Sequence, residues 1–290
     1  MRYFVLILIS SINLYSQEMV EKDSLWTTRG NVAVLLNQTG FSDWVGGGTN
    51  NFSGTLKFDY EWEFKDKGWD WLTNVESAFG LAKYKNAPFA RKIDDRILIQ
   101  SIVGKEFTKN LSFSAFFNFT SQIGNGFKYK KDSENNEIRE LTTRIFSPAY
   151  FQLGSGFLWK KDESLWVNYS PVAARLILVS KKFTSSLSEN ETYFGVTQNK
   201  SSRYELGSNL TFHSEGTLME NVNYKQDLKL FSNYLEDPSN IDLDYLAQIE
   251  IDVNPLLSTQ LIFQLIYDDN AIARLQVREV FGVGVQLKLN

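Results

Sequence analysis

Residues 51–64 read NFSGTLKFDYEWEF. Phe52, Leu56, Phe58, Tyr60, Trp62 and Phe64 put apolar groups at even positions. Ser53, Thr55, Lys57, Asp59, Glu61 and Glu63 put polar groups at odd ones. Successive side chains of an extended chain point to opposite faces, so this alternation makes a strand with one apolar face. Strands of water-soluble sandwiches usually run about five or six residues. This stretch is more than twice as long.

The pattern recurs. Leu111, Phe113, Ala115, Phe117 and Phe119 alternate with Ser112, Ser114, Asn118 and Thr120. Ile241, Leu243, Tyr245, Ala247, Ile249, Ile251 and Val253 alternate with Asp242, Asp244, Gln248, Glu250 and Asp252. Phe281, Val283, Val285, Leu287 and Leu289 alternate with Gly282, Gly284, Gln286 and Lys288. Long strands with one aliphatic and one charged face mark a transmembrane barrel, whose apolar face meets lipid while its polar face lines a lumen. The same pattern places strands at 28–39, 51–64, 69–83, 93–107, 110–122, 145–160, 163–179, 202–215, 220–235, 241–253, 256–268 and 275–289. Short joints such as Thr108–Lys109 and Asn254–Pro255 alternate with longer polar ones such as 123–144 and 180–201. Short periplasmic turns, longer outer loops and an even strand count are features of outer-membrane barrels. The fold expected is therefore all-β, a single closed antiparallel barrel of twelve strands, with ten and fourteen as alternatives. The cell outer membrane is the expected location, and its lipid the first expected partner.

Composition narrows the function. A formal net charge of −4 argues against a nucleic-acid partner held by a basic surface. With no cysteine there are no disulfides and no thiolate chemistry, and a lone histidine, His213, excludes sites built on several histidines. No cofactor is expected. The opening MRYFVLILISSINLYSQ has one cation, a short apolar run and Ser16 before Gln17, the layout of a signal peptide. Residues 1–16 are read as that signal, 17–27 as a periplasmic N-terminal segment and 28–290 as the barrel.

The polar face carries both signs of charge. Lys57, Asp59, Glu61 and Glu63 share one strand, Lys225, Asp227 and Lys229 another, and Asp242, Asp244, Glu250 and Asp252 its neighbour. All are candidates to line the lumen, and the short joint 236–240 places Lys225 near Glu250 or Asp252. Such a face is either a salt-bridged plug or a pore selecting small polar solutes, and twelve strands fall between filled and water-filled barrels. The pore is the reading preferred. Its rivals are a sealed barrel in an envelope assembly, a barrel lipid hydrolase and a soluble sugar-binding sandwich. For hydrolysis, His213 lacks an orienting acid on its own strand, and Ser214 beside it points to the opposite face. Asp268 and Asp269, with Asn270, form an oxygen-rich loop that is a weak Ca²⁺ candidate. Trp62, Phe64, Trp69, Trp71, Phe107, Trp159, Trp166, Tyr234 and Tyr267 cluster at strand ends, as interfacial girdles do. In FSDWVGGGTN (41–50) the glycines precede a strand rather than a helix, so the loop is no phosphate cradle. Gly46, Gly47 and Gly48 are expected to shape an outer loop that Trp44 anchors.

The phrases FSDWVGGGTNNFSG, SPAY (147–150), LFSNYLEDPSNIDLDY (230–245), QLIYDDN (264–270) and REVFGVGVQLKL (278–289) resemble a family of Bacteroidota envelope proteins. That family is catalogued as a domain of unknown function, number three thousand and seventy-eight. The resemblance covers the chain after the leader and implies an exported outer-membrane barrel, inserted by the barrel-assembly machinery, with no assigned activity. Barrels often end in an aromatic residue that assists assembly; here the last residues are Leu289 and Asn290.

Overall fold

A computed structural model describes residues 25–40 and 49–289 of the chain. The expected leader, residues 17–24, and the loop positions Trp44, Gly46, Gly47 and Gly48 lie outside the described residues. In chain order the strands are β1 (Trp26–Thr39), β2 (Asn51–Asp66), β3 (Trp69–Tyr84), β4 (Arg91–Thr108), β5 (Leu111–Ser121), β6 (Gly126–Lys131), β7 (Glu137–Thr143), β8 (Ala149–Asp162) and β9 (Leu165–Leu178). Helix α1 (Lys181–Thr184) and two short strands, β10 (Thr192–Tyr193) and β11 (Val196–Thr197), follow. The chain continues with β12 (Ser202–Met219), β13 (Val222–Asn233), β14 (Ile241–Asp252), β15 (Leu257–Asp268) and β16 (Ile272–Leu289).

Twelve of these strands close into one antiparallel barrel, in the order β1-β16-β15-β14-β13-β12-β9-β8-β5-β4-β3-β2. β6–β7 and β10–β11 are separate two-stranded hairpins within the two longest connections. Closure comes from β1 against β16, with Gly30 opposite Leu289 and Leu36 opposite Val283. At β12 the backbone of β13 comes so near that a Cβ on Gly207 would lie 1.8 Å from the Ser232 carbonyl oxygen. Glycine fits there, beside a register shift between Gly207 and Asn209.

The alternation in residues 51–64 has its physical counterpart in neighbours of opposite exposure. Thr55 is 6% exposed and points inward, whereas Leu56 is 55% exposed and points out. Val34, Phe113, Leu153, Tyr169, Phe263 and Phe281 are exposed on the same outer surface. Apolar surface on this scale requires an apolar solvent, so the chain is an outer-membrane β-barrel. Both described ends of the barrel, Trp26 and Leu289, lie at the end with the short turns, which is the periplasmic side. Trp26 packs there against Phe64 and Trp71, with ring centroids 5.1 and 5.7 Å apart, in one interfacial girdle. Trp166 does not join it: the indole points inward, is 5% exposed and stacks on His213. Its even position shares the inward parity of Asn168, so strand-end placement alone misassigned it.

Leu56 lies near the middle of the outer belt between Trp62 and Phe52. Leu56→Arg is expected to cost about 2–4 kcal/mol, the range for a cation on the lipid face near the midplane. The urea midpoint for unfolding from lipid vesicles measures this, and Leu56→Met is expected to leave that midpoint unchanged.

Candidate functional site

The lumen divides into a charged chamber, an apolar filling and an outer cap. The chamber is a cavity of about 600 Å³ reached from the periplasmic mouth, where Lys288 and Leu289 form part of its wall. Its polar wall follows from the barrel register. Asn31 sits opposite Asp59 and Asp59 opposite Glu76, so the inward positions of β1, β2 and β3 align. Arg29 Nε donates to Glu61 at 2.6 Å and its Nη2 to Glu215 at 3.1 Å, crossing from β1 to β12. Lys225 Nζ donates to Glu76 Oε1 at 3.0 Å and lies 3.9 Å from Asp59, while Arg96 Nη2 donates to Glu76 Oε2 at 2.8 Å. Arg278 pairs with Asp94 and donates Nη1 to Gln264 Oε1 at 3.1 Å. These charges take partners because an unpaired charge withdrawn from water is costly.

The sequence candidates separate by depth. Lys57, Asp59, Glu61, Lys225 and Glu250 line the chamber. Glu63 and Asp227 line a smaller adjoining void of about 30 Å³. Asp242, Asp244, Asp252 and Lys229 occupy the inward parity outside the chamber: Asp252 pairs with Lys288 at 3.2 Å, Asp244 accepts from Gln264 at 2.8 Å, and Lys229 stands opposite Asp244 in register. One expected contact is wrong. Lys225 lies opposite Gln248, not near Glu250 or Asp252, because the β13–β14 connection already begins after Asn233. Its ammonium instead reaches across the lumen to Glu76. Arg29, Glu76, Asp94, Arg96, Glu215, Gln260 and Arg278 were missed, although they share the inward parity of the candidates.

Opposite the chamber an apolar cluster fills part of the lumen, among buried polar side chains such as Ser114 and Asn168. Ile102, Phe116, Leu158, Trp166, Ala173 and Phe231 form one buried cluster with Leu72 packed against it. The expectation that the polar face of the strands lines the lumen leaves this inward apolar cluster out. These residues hold inward positions on five strands, and burying them against one another removes the need for water on that side.

His213 sits beside this cluster. Its Nδ1 is 2.8 Å from Asp227 Oδ1 and its Nε2 is 3.6 Å from Glu215. The expectation that His213 lacks an acid on its own strand is corrected: Glu215 stands two residues along the same face of β12, and β13 adds Asp227 as the direct register partner. Among the described residues its polar partners are carboxylates. Thr211 Oγ1 donates to Asn209, and the Ser214 hydroxyl bonds to Tyr224 on the other face. Among the described residues no hydroxyl stands in hydrogen-bond reach of the imidazole, as a serine- or threonine-based hydrolase would need.

The outer mouth is capped by loops. Ile177, Val179 and Val196 form a second buried cluster with Tyr150, Tyr193 and Phe194. The Tyr193 hydroxyl donates to the Thr142 carbonyl at 2.6 Å and lies 3.3 Å from that of Ser147, and burial raises the pKa of its phenol. Two residues on, Gly195 has φ +72° and packs so closely that a Cβ there would be 3.1 Å from Asn270 Cβ. Thr142 belongs to the β5–β8 connection and Asn270 to the β15–β16 connection, which lie on opposite sides of the barrel order. The 179–201 connection therefore bridges the rim. Beneath it Arg175 pairs with both Glu205 and Asp242, and Arg203 Nε lies 2.8 Å from Glu205. Asp242 also gathers with Asp268 and Asp269, the weak cation candidates. Their oxygens already have protein partners: Arg175 for Asp242, the Asn240 amide for Asp269, and the backbone amides of Asn270 and Ala271, at 3.0 and 3.1 Å, for Asp268.

Residues 36–127 match the model of a family described as a protein of unknown function, DUF3078. No curated protein matches the chain. Among solved structures it is similar to the translocator domain of autotransporter NalP from Neisseria meningitidis, at 8% identity and TM-score 0.39, over 91% of this chain and 88% of that one. It is similar to the β domain of the Bordetella autotransporter BrkA, at 8% identity and TM-score 0.35, over 91% and 99%. It is also similar to an outer membrane channel from Pseudomonas putida F1, at 10% identity and TM-score 0.36, over 93% and 99%.

Proposed function

We propose that the barrel is a channel for small polar solutes, shut at its outer mouth in the form described. The observation that supports this most is the 600 Å³ chamber, open to the periplasmic end and walled by charges of both signs. A barrel serving only as a scaffold has no need of buried charges, which are costly to hold and weak as a source of stability. The chamber is large enough for a solute of several heavy atoms, and the loops above it are the removable part of the barrier. Neither the charged wall nor the cap requires a cofactor.

A sealed structural barrel is the second reading, favoured by the apolar cluster around Phe116 and Trp166 that fills the other side of the lumen. Solute uptake into vesicles holding the folded protein separates the two. The channel reading expects permeation of small polar solutes above that of empty vesicles, increasing when the 179–201 connection is shortened. Permeation equal to empty vesicles for both proteins would leave the sealed barrel.

A further inference from the structure

Two of the charges lining the chamber stand apart from the rest. Arg29, Arg96, Lys225, Arg278 and Lys288 each have a carboxylate within 4 Å. Lys57, also in the wall, has none among the described residues; its Nζ donates to a neutral acceptor, Gln260 Oε1, at 2.8 Å. On the acidic side, Asp59, Glu61, Glu76, Asp94 and Glu215 each have a cation within 4 Å. Glu250 has none among the described residues, and accepts from Gln286 Nε2 at 2.6 Å and Gln260 Nε2 at 3.4 Å. One cation and one carboxylate thus have no opposite charge within 4 Å among the described residues, and both hydrogen-bond the same amide. Gln286 is itself fixed by Ser258, which donates to its Oε1 at 3.1 Å. The amides hold the charges in place, two hydrogen bonds and one amide width apart, a path of about 8 Å.

Amide hydrogen bonds orient a charge but do not neutralise it. A lysine and a glutamate kept apart on one wall of an accessible cavity present a fixed dipole of full charges. We propose that this pair is a recognition site for a zwitterion of amino-acid or short-peptide size, with the solute's carboxylate on Lys57 and its ammonium on Glu250. Both contacts are charge-assisted hydrogen bonds, the stronger kind. A singly charged solute satisfies one pole and leaves the other uncompensated, so the wall discriminates by charge pattern. The proposal rests on the channel reading in taking the chamber as a place where solute stops on its way through.

Calorimetry on the folded full chain in detergent tests it, with four forms of one probe. These are alanyl-alanine, its N-acetyl form (anion), its C-terminal amide (cation) and the doubly blocked neutral form. The zwitterion is expected to bind tightest, by about tenfold over each singly charged form, the scale of one charge-assisted contact. Lys57→Gln is expected to abolish the preference for a free carboxylate while keeping that for a free amine. Glu250→Gln should do the reverse, and Lys57→Arg should retain the wild-type order. Equal binding of all four probes, no binding, or a charge preference that survives both substitutions would overturn the site. Vesicle uptake keeps this separate from the channel reading. Selective binding without uptake removes passage and leaves the site, whereas uptake without selectivity removes the site and leaves passage.

Discussion

Arg175→Ala is expected to destabilise the barrel by about 3–5 kcal/mol, the cost of removing one partner from a buried ion pair. The guanidinium spans from β9 to Glu205 on β12 and Asp242 on β14, and its face lies 4.0 Å from the Phe231 ring centroid. The Glu205 side chain is fully buried, with no route to water when the arginine goes. Arg203 stays beside Glu205, but Asp242 loses its only cation within 4 Å among the described residues. Arg175→Lys is expected to fall between wild type and alanine, because a single ammonium cannot form the two-armed contact of a planar guanidinium. Neutralising all three groups together, as Arg175→Met with Glu205→Gln and Asp242→Asn, should cost less than the single alanine change. Urea unfolding from lipid vesicles measures each variant. A midpoint for Arg175→Ala equal to wild type would show that this network does not hold the outer half of the lumen.

The second large effect concerns passage rather than stability. Replacing residues 183–198 by a short glycine-serine link is expected to raise conductance several-fold. That segment carries Tyr193, Gly195 and Val196, which join connections from opposite sides of the rim, so removing it uncovers the mouth above Arg175. The barrel strands do not depend on it: β9 and β12 pair directly, from Ser202 opposite Leu178 to Ser214 opposite Leu165. Connections tolerate shortening where they contribute few barrel contacts. Retention of the folded form is checked by heat-modifiable gel mobility. A correctly folded excision variant with unchanged conductance would place the barrier deeper, at the Arg175 network or the apolar cluster.

Much of the barrel was legible in the sequence. Alternation with period two located each of the twelve strands, because a lipid-facing side chain leaves an apolar mark at every second position whatever it packs against. The expected 51–64 became Asn51–Asp66 and 241–253 became Ile241–Asp252. The start expected at 145 moved to Ala149, since the chain around Ser147 turns, Arg144 and Ser147 exchanging backbone hydrogen bonds of 3.1 and 2.8 Å. Inward parity likewise identified the charged face. What parity cannot encode is the reach across the lumen. Lys225 meets Glu76 over 149 positions of sequence, a contact created by closure and tilt rather than by any hairpin. Phe116 and Trp166 escaped for a related reason. Each is an inward aromatic, and a rule that assigns every apolar residue to lipid has no place for a lumen that is part dry.

Single-channel recording in planar bilayers, on the folded full chain and on the 183–198 excision variant side by side, tests the central claim most directly. The account predicts discrete current steps from both proteins, small for the full chain and several-fold larger for the variant. Silent bilayers with both, while each remains folded and inserted, would contradict it.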